Sequence, residues 1–184
     1  MRLIAGGDSF VWGSELKDHK HGGLKGYSLS TFPAILARNN NLEYCCAAYP
    51  GIGNSEIAKR SLDYLSDDSL ALISWTWQSR DDRVDSDDVI IYLQNLLLEK
   101  NIPFIFTCAD NCVLTQNPQI DQGRWFLFPP GEHKGKTEHP RGFYQWAVEE
   151  GYKCGPDGHP LEKAHVEAAK LMSDRFLTLI NERS

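Results

Sequence analysis

The chain has 184 residues, of which 41% are hydrophobic and 24% are charged, and its formal net charge at pH 7 is −6. This length favours a single domain over residues 1–184, and the composition is typical of a globular fold. The negative balance argues against a nucleic-acid partner, and no apolar run approaches the ~20 residues that span a membrane. Asp8 interrupts the first apolar run too early for a secretory signal, so we expect a cytoplasmic location.

Predicted strands and helices alternate from the amino terminus onward. Residues 3–7 form a short apolar run that glycines end, which predicts a strand. Residues 30–38 have apolar side chains at helical spacing and a proline suited to a first turn, which predicts a helix. A second strand over residues 42–49 and a second helix over residues 55–65 follow.

The next predicted strand, residues 70–75, is almost continuously apolar, as is typical of a parallel strand buried on both faces. The later predicted elements are a helix over residues 89–100, a strand over 103–107, and helices over 141–150 and 161–181. Residues 110–140 show no clean periodicity, and a stretch of this kind is usually functional or a lid. The alternation predicts a doubly wound, mostly parallel α/β sheet, whose ligands bind beyond the carboxyl ends of the strands.

Two short motifs stand at opposite ends of the chain. Ser9 follows the first predicted strand within the string Gly7-Asp8-Ser9-Phe10, although Asp8 or Ser9 could equally act as a helix cap. Near the other end, a carboxylate and an imidazole stand together at Asp157 and His159. A serine hydroxyl is a weak nucleophile unless a base takes its proton, and a carboxylate orients that base best. The order Ser…Asp…His therefore indicates a serine esterase.

The string from Gly7 to Gly13 resembles the nucleophile block of the GDSL/SGNH hydrolase superfamily. The resemblance implies a flavodoxin-like three-layer α/β/α sandwich that hydrolyses carboxylic esters, including acetyl groups on sugars, and that needs no cofactor. It also implies an oxyanion hole made of the serine amide, a glycine amide and an asparagine side chain.

Ser9 matches the family's nucleophile. After the second strand, residues 51–55 resemble the family's second block, and Gly53 is the best match for the oxyanion glycine, with Gly51 as the fallback. An unobstructed backbone N–H suits a developing oxyanion, although such glycines also serve simply as turns.

The family's third block is usually Gly-x-Asn-Asp, but residues 74–80 contain no asparagine. Asn54 is the favoured replacement as side-chain oxyanion donor, with Thr76 and Gln78 as alternatives. Trp75 and Trp77 are candidate substrate-binding residues, because sugar rings present apolar faces to aromatic surfaces; ordinary packing is the alternative.

The last block is usually Asp-x-x-His, one residue longer than the spacing between Asp157 and His159. We expect His159 to be the base and Asp157 to orient it. Alternatively, Asp157 caps the final helix and another carboxylate, such as Asp110, orients the ring. His165 is the rival base, but its predicted helix favours a packing role.

The remaining residues favour no metal site and no disulfide framework. The five cysteines are an odd number, and His133 and His139 lack a third ligand. The sequence therefore predicts an ester hydrolase of the carboxylesterase or O-acetylesterase type, acting on a small-molecule or carbohydrate ester. An acyltransferase, or a binding or structural module without turnover, remains an alternative.

Overall fold

The computed structural model describes residues 1–19, 26–81, 84–133 and 136–182. A four-stranded parallel sheet is built from β1 (Arg2–Gly6), β2 (Glu43–Cys46), β3 (Ser69–Trp75) and β4 (Phe104–Cys108), in the spatial order β2-β1-β3-β4. In this register Ala5 pairs with Cys46 on one side and with Leu72 on the other. The predicted α/β fold with a parallel sheet is confirmed.

Helices cover both faces of the sheet because side chains along a strand alternate between its two faces. Leu70 and Leu72 of β3 pack into one hydrophobic cluster, whereas Ala71 and Ile73 pack into the other. The first cluster contains residues of α2 (Phe32–Asn39), α5 (Phe143–Glu149) and α6 (Glu162–Asn181). The second contains residues of α3 (Asn54–Tyr64) and α4 (Ser86–Glu99). The arrangement is a three-layer α/β/α sandwich.

The stretch without clean periodicity contains secondary structure of its own. Two short 3₁₀ turns, Asn111–Val113 and Gln122–Arg124, precede an antiparallel hairpin of β5 (Phe128–His133) and β6 (Lys136–Arg141). The hairpin has register shifts, so its side chains do not repeat at a constant period. No helix in the described ranges combines the length and apolar character that crossing a bilayer requires.

The second strand is shorter than predicted, but the chain continues close to β1. The Ala47 N–H donates to the Ala5 carbonyl at 2.9 Å, and the Tyr49 N–H donates to the Gly7 carbonyl at 3.1 Å. These bonds hold the loop after β2 against the turn after β1. Both loops therefore lie at the carboxyl edge of the sheet, where the sequence predicted the site.

Candidate active site

An open cavity of about 760 Å³ lies beyond the carboxyl ends of β1, β2 and β3. It brings Ser9 and His159 together, which lie 150 positions apart in the chain. The lining residues come from the turn after β1, the loops after β2 and β3, and the loop before α6; they are Ser9, Trp12, Ser14, Glu15, His19, Tyr49, Pro50, Gly51, Arg80, Pro156, Asp157 and His159.

Ser9 is the first residue of the one-turn helix α1 (Ser9–Trp12). Asp8 caps this helix, because its Oδ1 accepts a hydrogen bond from the Phe10 N–H at 3.0 Å. Gly13 ends the helix in the left-handed region at φ 83°, which favours glycine. Asp8 and Gly13 thus shape the tight turn that presents Ser9 to the cavity.

His159 is held by Glu15, a residue that the sequence analysis missed. The His159 Nδ1 lies 2.8 Å from Glu15 Oε2, and this carboxylate also accepts the Asp157 N–H at 3.0 Å and the His159 N–H at 3.1 Å. Burial opposes ionisation of Glu15, but these hydrogen bonds together lower its pKa below the ordinary value. An ionised carboxylate only accepts, so Nδ1 carries the proton that it shares with Glu15, and in the neutral ring the lone pair is on Nε2.

The expected role of Asp157 is not supported by the geometry. Asp157 lines the cavity, but in the described part of the chain its carboxylate makes no hydrogen bond or ion pair with His159. The short Asp-x-His spacing instead lets the Asp157 and His159 backbone N–H groups converge on Glu15. The alternative, Asp110, caps the 3₁₀ turn that begins at Asn111, and its carboxylate makes no hydrogen bond or ion pair with His159 in the described part of the chain.

The Ser9 hydroxyl makes no hydrogen bond to the His159 ring among the described residues. Catalytic hydrogen bonds are often long in unliganded enzymes and tighten once substrate is bound. His165, the rival base, is fully buried in α6 and accepts the Phe32 N–H at 3.2 Å. Burial lowers the pKa of His165 to about 3, so it is a neutral core residue.

Asp8 anchors a second charged residue at the cavity. Its side chain is 1% exposed, and its Oδ2 accepts the Thr76 hydroxyl at 2.7 Å and the Arg80 guanidinium at 3.0 Å. Burial raises the pKa of Asp8, and the bonds from Thr76 and Phe10 and the charge of Arg80 counter part of that rise. Arg80 also lies over the Trp77 ring, 5.1 Å from its centroid.

The side chain of Asn54, the favoured oxyanion donor, is hydrogen-bonded inside the protein. It is fully buried, its Nδ2 donates to the Thr76 carbonyl and the Ser86 hydroxyl, and its Oδ1 accepts the Thr76 N–H. All of its ordinary hydrogen-bonding capacity except one acceptor site is used, so no donor remains for a substrate. The geometry therefore gives Asn54 a structural role and does not support the prediction of an oxyanion donor.

Gly53 also has a packing role. A Cβ at this position would lie 2.3 Å from Asp81 Oδ1, and Gly53 is not among the residues that line the cavity, whereas Gly51 is. Asp81 in turn accepts the Ser55 N–H at 2.7 Å. The glycine at position 53 thus allows Asp81 to reach the start of α3, and the fallback Gly51 is the better oxyanion candidate.

The two tryptophans expected to contact substrate do not line the cavity. Trp75 is 0% exposed in β3, and Trp77 packs against Phe10 and Tyr144. The aromatic residues on the cavity wall are instead Trp12 and Tyr49, whose rings meet edge-on with centroids 5.3 Å apart. The structure assigns Trp75 and Trp77 to packing, the alternative reading of those residues.

Sequence reasoning missed Glu15 and Arg80, and only weak signals pointed to them. Glu15 follows Gly13 within the nucleophile block's own loop, and its backbone has a positive φ of 67°, which no pattern of residue types indicates. Arg80 stands in a polar run after β3, and that pattern is typical of a charged residue exposed to solvent. His133 and His139 remain without a proposed metal, and the His133 side chain lies outside the described part of the chain.

Comparison with solved structures supports the fold resemblance. A psychrotrophic esterase from Pseudoalteromonas sp. superposes with a TM-score of 0.61 and 12% identity over 98% of both chains. A putative lipolytic protein of the G-D-S-L family from Desulfitobacterium hafniense gives 0.53 and 14%, over 94% of this chain and 98% of that one. An acetyl xylan esterase from Butyrivibrio proteoclasticus gives 0.56 and 14%, over 100% of this chain and 64% of that one.

The resemblance to GDSL/SGNH esterases is thereby confirmed at the level of the fold. No family model matches the sequence, and no curated protein matches it either. At these identities the shared property is the fold, and the chemistry must be argued from the cavity itself.

Proposed function

We propose that this chain is a serine ester hydrolase that removes a short acyl group, with Ser9 as nucleophile, His159 as base and Glu15 as the group that orients His159. One observation carries the proposal: the Glu15–His159 pair and Ser9 line the same cavity at the carboxyl edge of the sheet. A nucleophile, a base and an orienting carboxylate in one cavity are the parts that acyl transfer needs.

In the first step, Ser9 Oγ attacks the ester carbonyl carbon and His159 Nε2 takes the hydroxyl proton. Glu15 favours this transfer because its negative charge stabilises the imidazolium that forms. The carbonyl π electrons move to oxygen, which becomes an oxyanion. The Ser9 and Gly51 N–H groups have no hydrogen-bond partner among the described residues and can donate to that oxygen.

In the second step, the tetrahedral intermediate collapses and the carbon–oxygen bond to the leaving alcohol breaks. The imidazolium gives its proton to the departing oxygen, and the acyl group remains on Ser9. Water then attacks the acyl carbon with His159 again as base. The bond from that carbon to Ser9 Oγ breaks, the imidazolium returns its proton to Oγ, and the carboxylic acid leaves. These steps require only the chain's own residues and water.

An acetylated carbohydrate is the substrate class that we favour. Trp12 and Tyr49 place two aromatic rings on the wall of the cavity that holds Ser9. Such rings suit the apolar faces of sugar units. The acetyl xylan esterase with the same fold acts on a substrate of this kind, which adds support by analogy.

The test is hydrolysis of p-nitrophenyl acetate and of an acetylated xylo-oligosaccharide by the wild type, Ser9→Ala and Ser14→Ala. Ser14 is the matched control because it lines the same cavity without a role in the proposed mechanism. Each variant is also treated with a fluorophosphonate probe and examined by mass spectrometry. We expect turnover and labelling in the wild type and in Ser14→Ala, and neither in Ser9→Ala.

Labelling at Ser14, or turnover that survives in Ser9→Ala, would show that another group is the nucleophile. A wild type that neither turns over nor labels would leave only the fold analogy. Faster cleavage of the xylo-oligosaccharide than of a p-nitrophenyl ester of equal acyl length would support the carbohydrate assignment.

A further inference from the structure

We infer that Arg80 is the side-chain donor of the oxyanion hole, a catalytic role that rests on the proposed esterase function. Its guanidinium would donate a hydrogen bond to the substrate carbonyl oxygen as negative charge develops there. No proton is transferred in this role, since an arginine side chain stays protonated.

The cavity needs such a donor because the expected ones are occupied. The Asn54 amide protons are both used inside the protein, and Thr76 donates its hydroxyl to Asp8. Gln78 is not among the lining residues. Of the described residues that line the cavity, Arg80 alone carries a permanent positive charge.

Arg80 is fixed close to the nucleophile by the residue that precedes Ser9. Its NH1 donates to Asp8 Oδ2 at 3.0 Å, while Asp8 Oδ1 caps the helix that begins at Ser9. One buried carboxylate therefore ties the guanidinium to the turn that carries the nucleophile. The Trp77 ring, 5.1 Å from the guanidinium carbon, supports the same placement.

The backbone that carries Arg80 is also restrained. It ends the 3₁₀ turn Gln78–Arg80, and the next residue, Asp81, accepts the Ser55 N–H at the start of α3. The guanidinium has five N–H donors, and only one hydrogen bond, from NH1 to Asp8, is present among the described residues. Arg80 lines the cavity with 28% of its side chain exposed, and its other donors make no hydrogen bond among the described residues.

A preorganised donor of this kind stabilises the transition state without reorganising during the reaction. The loss of one oxyanion donor typically lowers kcat about 10²- to 10³-fold. We therefore expect Arg80→Gln to lower kcat by about that factor, with a smaller change in KM. Arg80→Lys keeps the charge beside Asp8 but loses the planar guanidinium with its paired donors. Its kcat should therefore lie between those of the wild type and Arg80→Gln.

The experiment compares wild type, Arg80→Gln, Arg80→Lys and Arg38→Gln on p-nitrophenyl acetate and p-nitrophenyl hemisuccinate. Arg38 is the matched control because it is an exposed residue of α2 outside the lining, and its loss changes the net charge equally. We expect the kcat of Arg80→Gln to fall equally for the neutral and the anionic ester, and that of Arg38→Gln to stay near the wild type.

A double variant separates this role from mere neutralisation of Asp8. Asp8→Asn/Arg80→Gln removes both charges, and the asparagine Oδ1 can still accept the Phe10 N–H. If Arg80 is an oxyanion donor, the kcat of the double variant will stay as low as that of Arg80→Gln. Recovery of activity in the double variant would overturn the inference, and so would a loss limited to KM for the hemisuccinate, which would make Arg80 a contact for substrate anions.

The proposed function fails separately from this inference. A wild type without Ser9-dependent turnover would overturn both. A wild type with Ser9-dependent turnover, alongside Arg80→Gln of unchanged kcat, would overturn only the role of Arg80.

Discussion

Replacing Glu15 by glutamine is expected to abolish most of the esterase activity while the chain stays folded. Glu15 accepts three hydrogen bonds, one of them from the His159 ring. A glutamine keeps one oxygen acceptor but presents N–H donors as well. A donor facing Nδ1 would favour the proton on Nε2, and the ring could then no longer accept the Ser9 proton.

The size of the effect follows from the 2.8 Å contact between Nδ1 and Oε2. A hydrogen bond to a charged group contributes about 1.5–3 kcal/mol, which corresponds to roughly 10- to 100-fold in rate. The exchange of tautomer adds to this loss, and in serine proteases the equivalent substitution costs about 10⁴ in kcat. We therefore expect kcat of Glu15→Gln to fall by about 10² to 10⁴.

The assay is p-nitrophenyl acetate hydrolysis at pH 7.5, with thermal unfolding as the check on folding. Glu162→Gln is the matched control, because Glu162 accepts the Lys17 N–H outside the cavity and undergoes the same chemical change. Asp157→Asn tests the alternative orienting residue. We expect Glu162→Gln to resemble the wild type and Asp157→Asn to change kcat by no more than a few-fold.

The opposite ranking of the kcat losses of Glu15→Gln and Asp157→Asn would refute the role of Glu15. If Asp157→Asn lost 10²-fold or more in kcat while Glu15→Gln kept near-normal turnover, the orienting carboxylate would be Asp157, as the sequence alone suggested. A Glu15→Gln protein that unfolds would be replaced in the same assay by Glu15→Asp, whose shorter side chain should lower kcat without removing the acceptor.

Two further substitutions test the packing roles of expected site residues. For His165, whose folded pKa is about 3 and unfolded pKa about 6.5, acid protonates the unfolded state first, so the free energy of unfolding falls as pH falls below 6.5. Between pH 7.5 and 5.0 we expect the wild type to lose roughly 2 kcal/mol more than His165→Asn in urea unfolding. Asn54→Ala should cost about 2–4 kcal/mol in the same measurement at pH 7.5, because it strands the buried Thr76 and Ser86 groups, while kcat per folded molecule stays near normal.

Each of these two predictions would be contradicted by a specific result. Equal pH slopes for wild type and His165→Asn would show that the ring titrates alike in the folded and the unfolded chain, so burial would not lower its pKa. A large fall in kcat for Asn54→Ala without loss of stability would restore Asn54 to the oxyanion hole.

The fold was predictable because its signals are local. β3 is buried along its whole length, and a continuous apolar run of that kind has few alternatives to a central parallel strand. The hairpin of β5 and β6 was missed because its pairing joins residues across register shifts, and Pro129, Pro130 and Pro140 remove the usual strand pattern.

The candidate site was predictable only in part, for a physical reason. Ser9 and His159 stand in motifs whose glycines and prolines mark tight turns, so the sequence places them at loop tips. Which carboxylate reaches the imidazole depends instead on how two distant loops meet. Glu15 reaches His159 through a left-handed backbone at φ 67° and a contact across 144 positions, neither of which residue spacing encodes.

The position of Glu15 also bears on how this site can diverge among related chains. In the proposed mechanism, nucleophile and orienting acid occupy one short stretch, from Ser9 to Glu15, whereas the carboxyl-terminal loop supplies the ring and two backbone N–H groups to the acid. Backbone donors are the same for nearly every residue type. Under the proposed mechanism, position 157 contributes only its backbone N–H, so many residue types would serve there, whereas the acid six residues after the serine would be required.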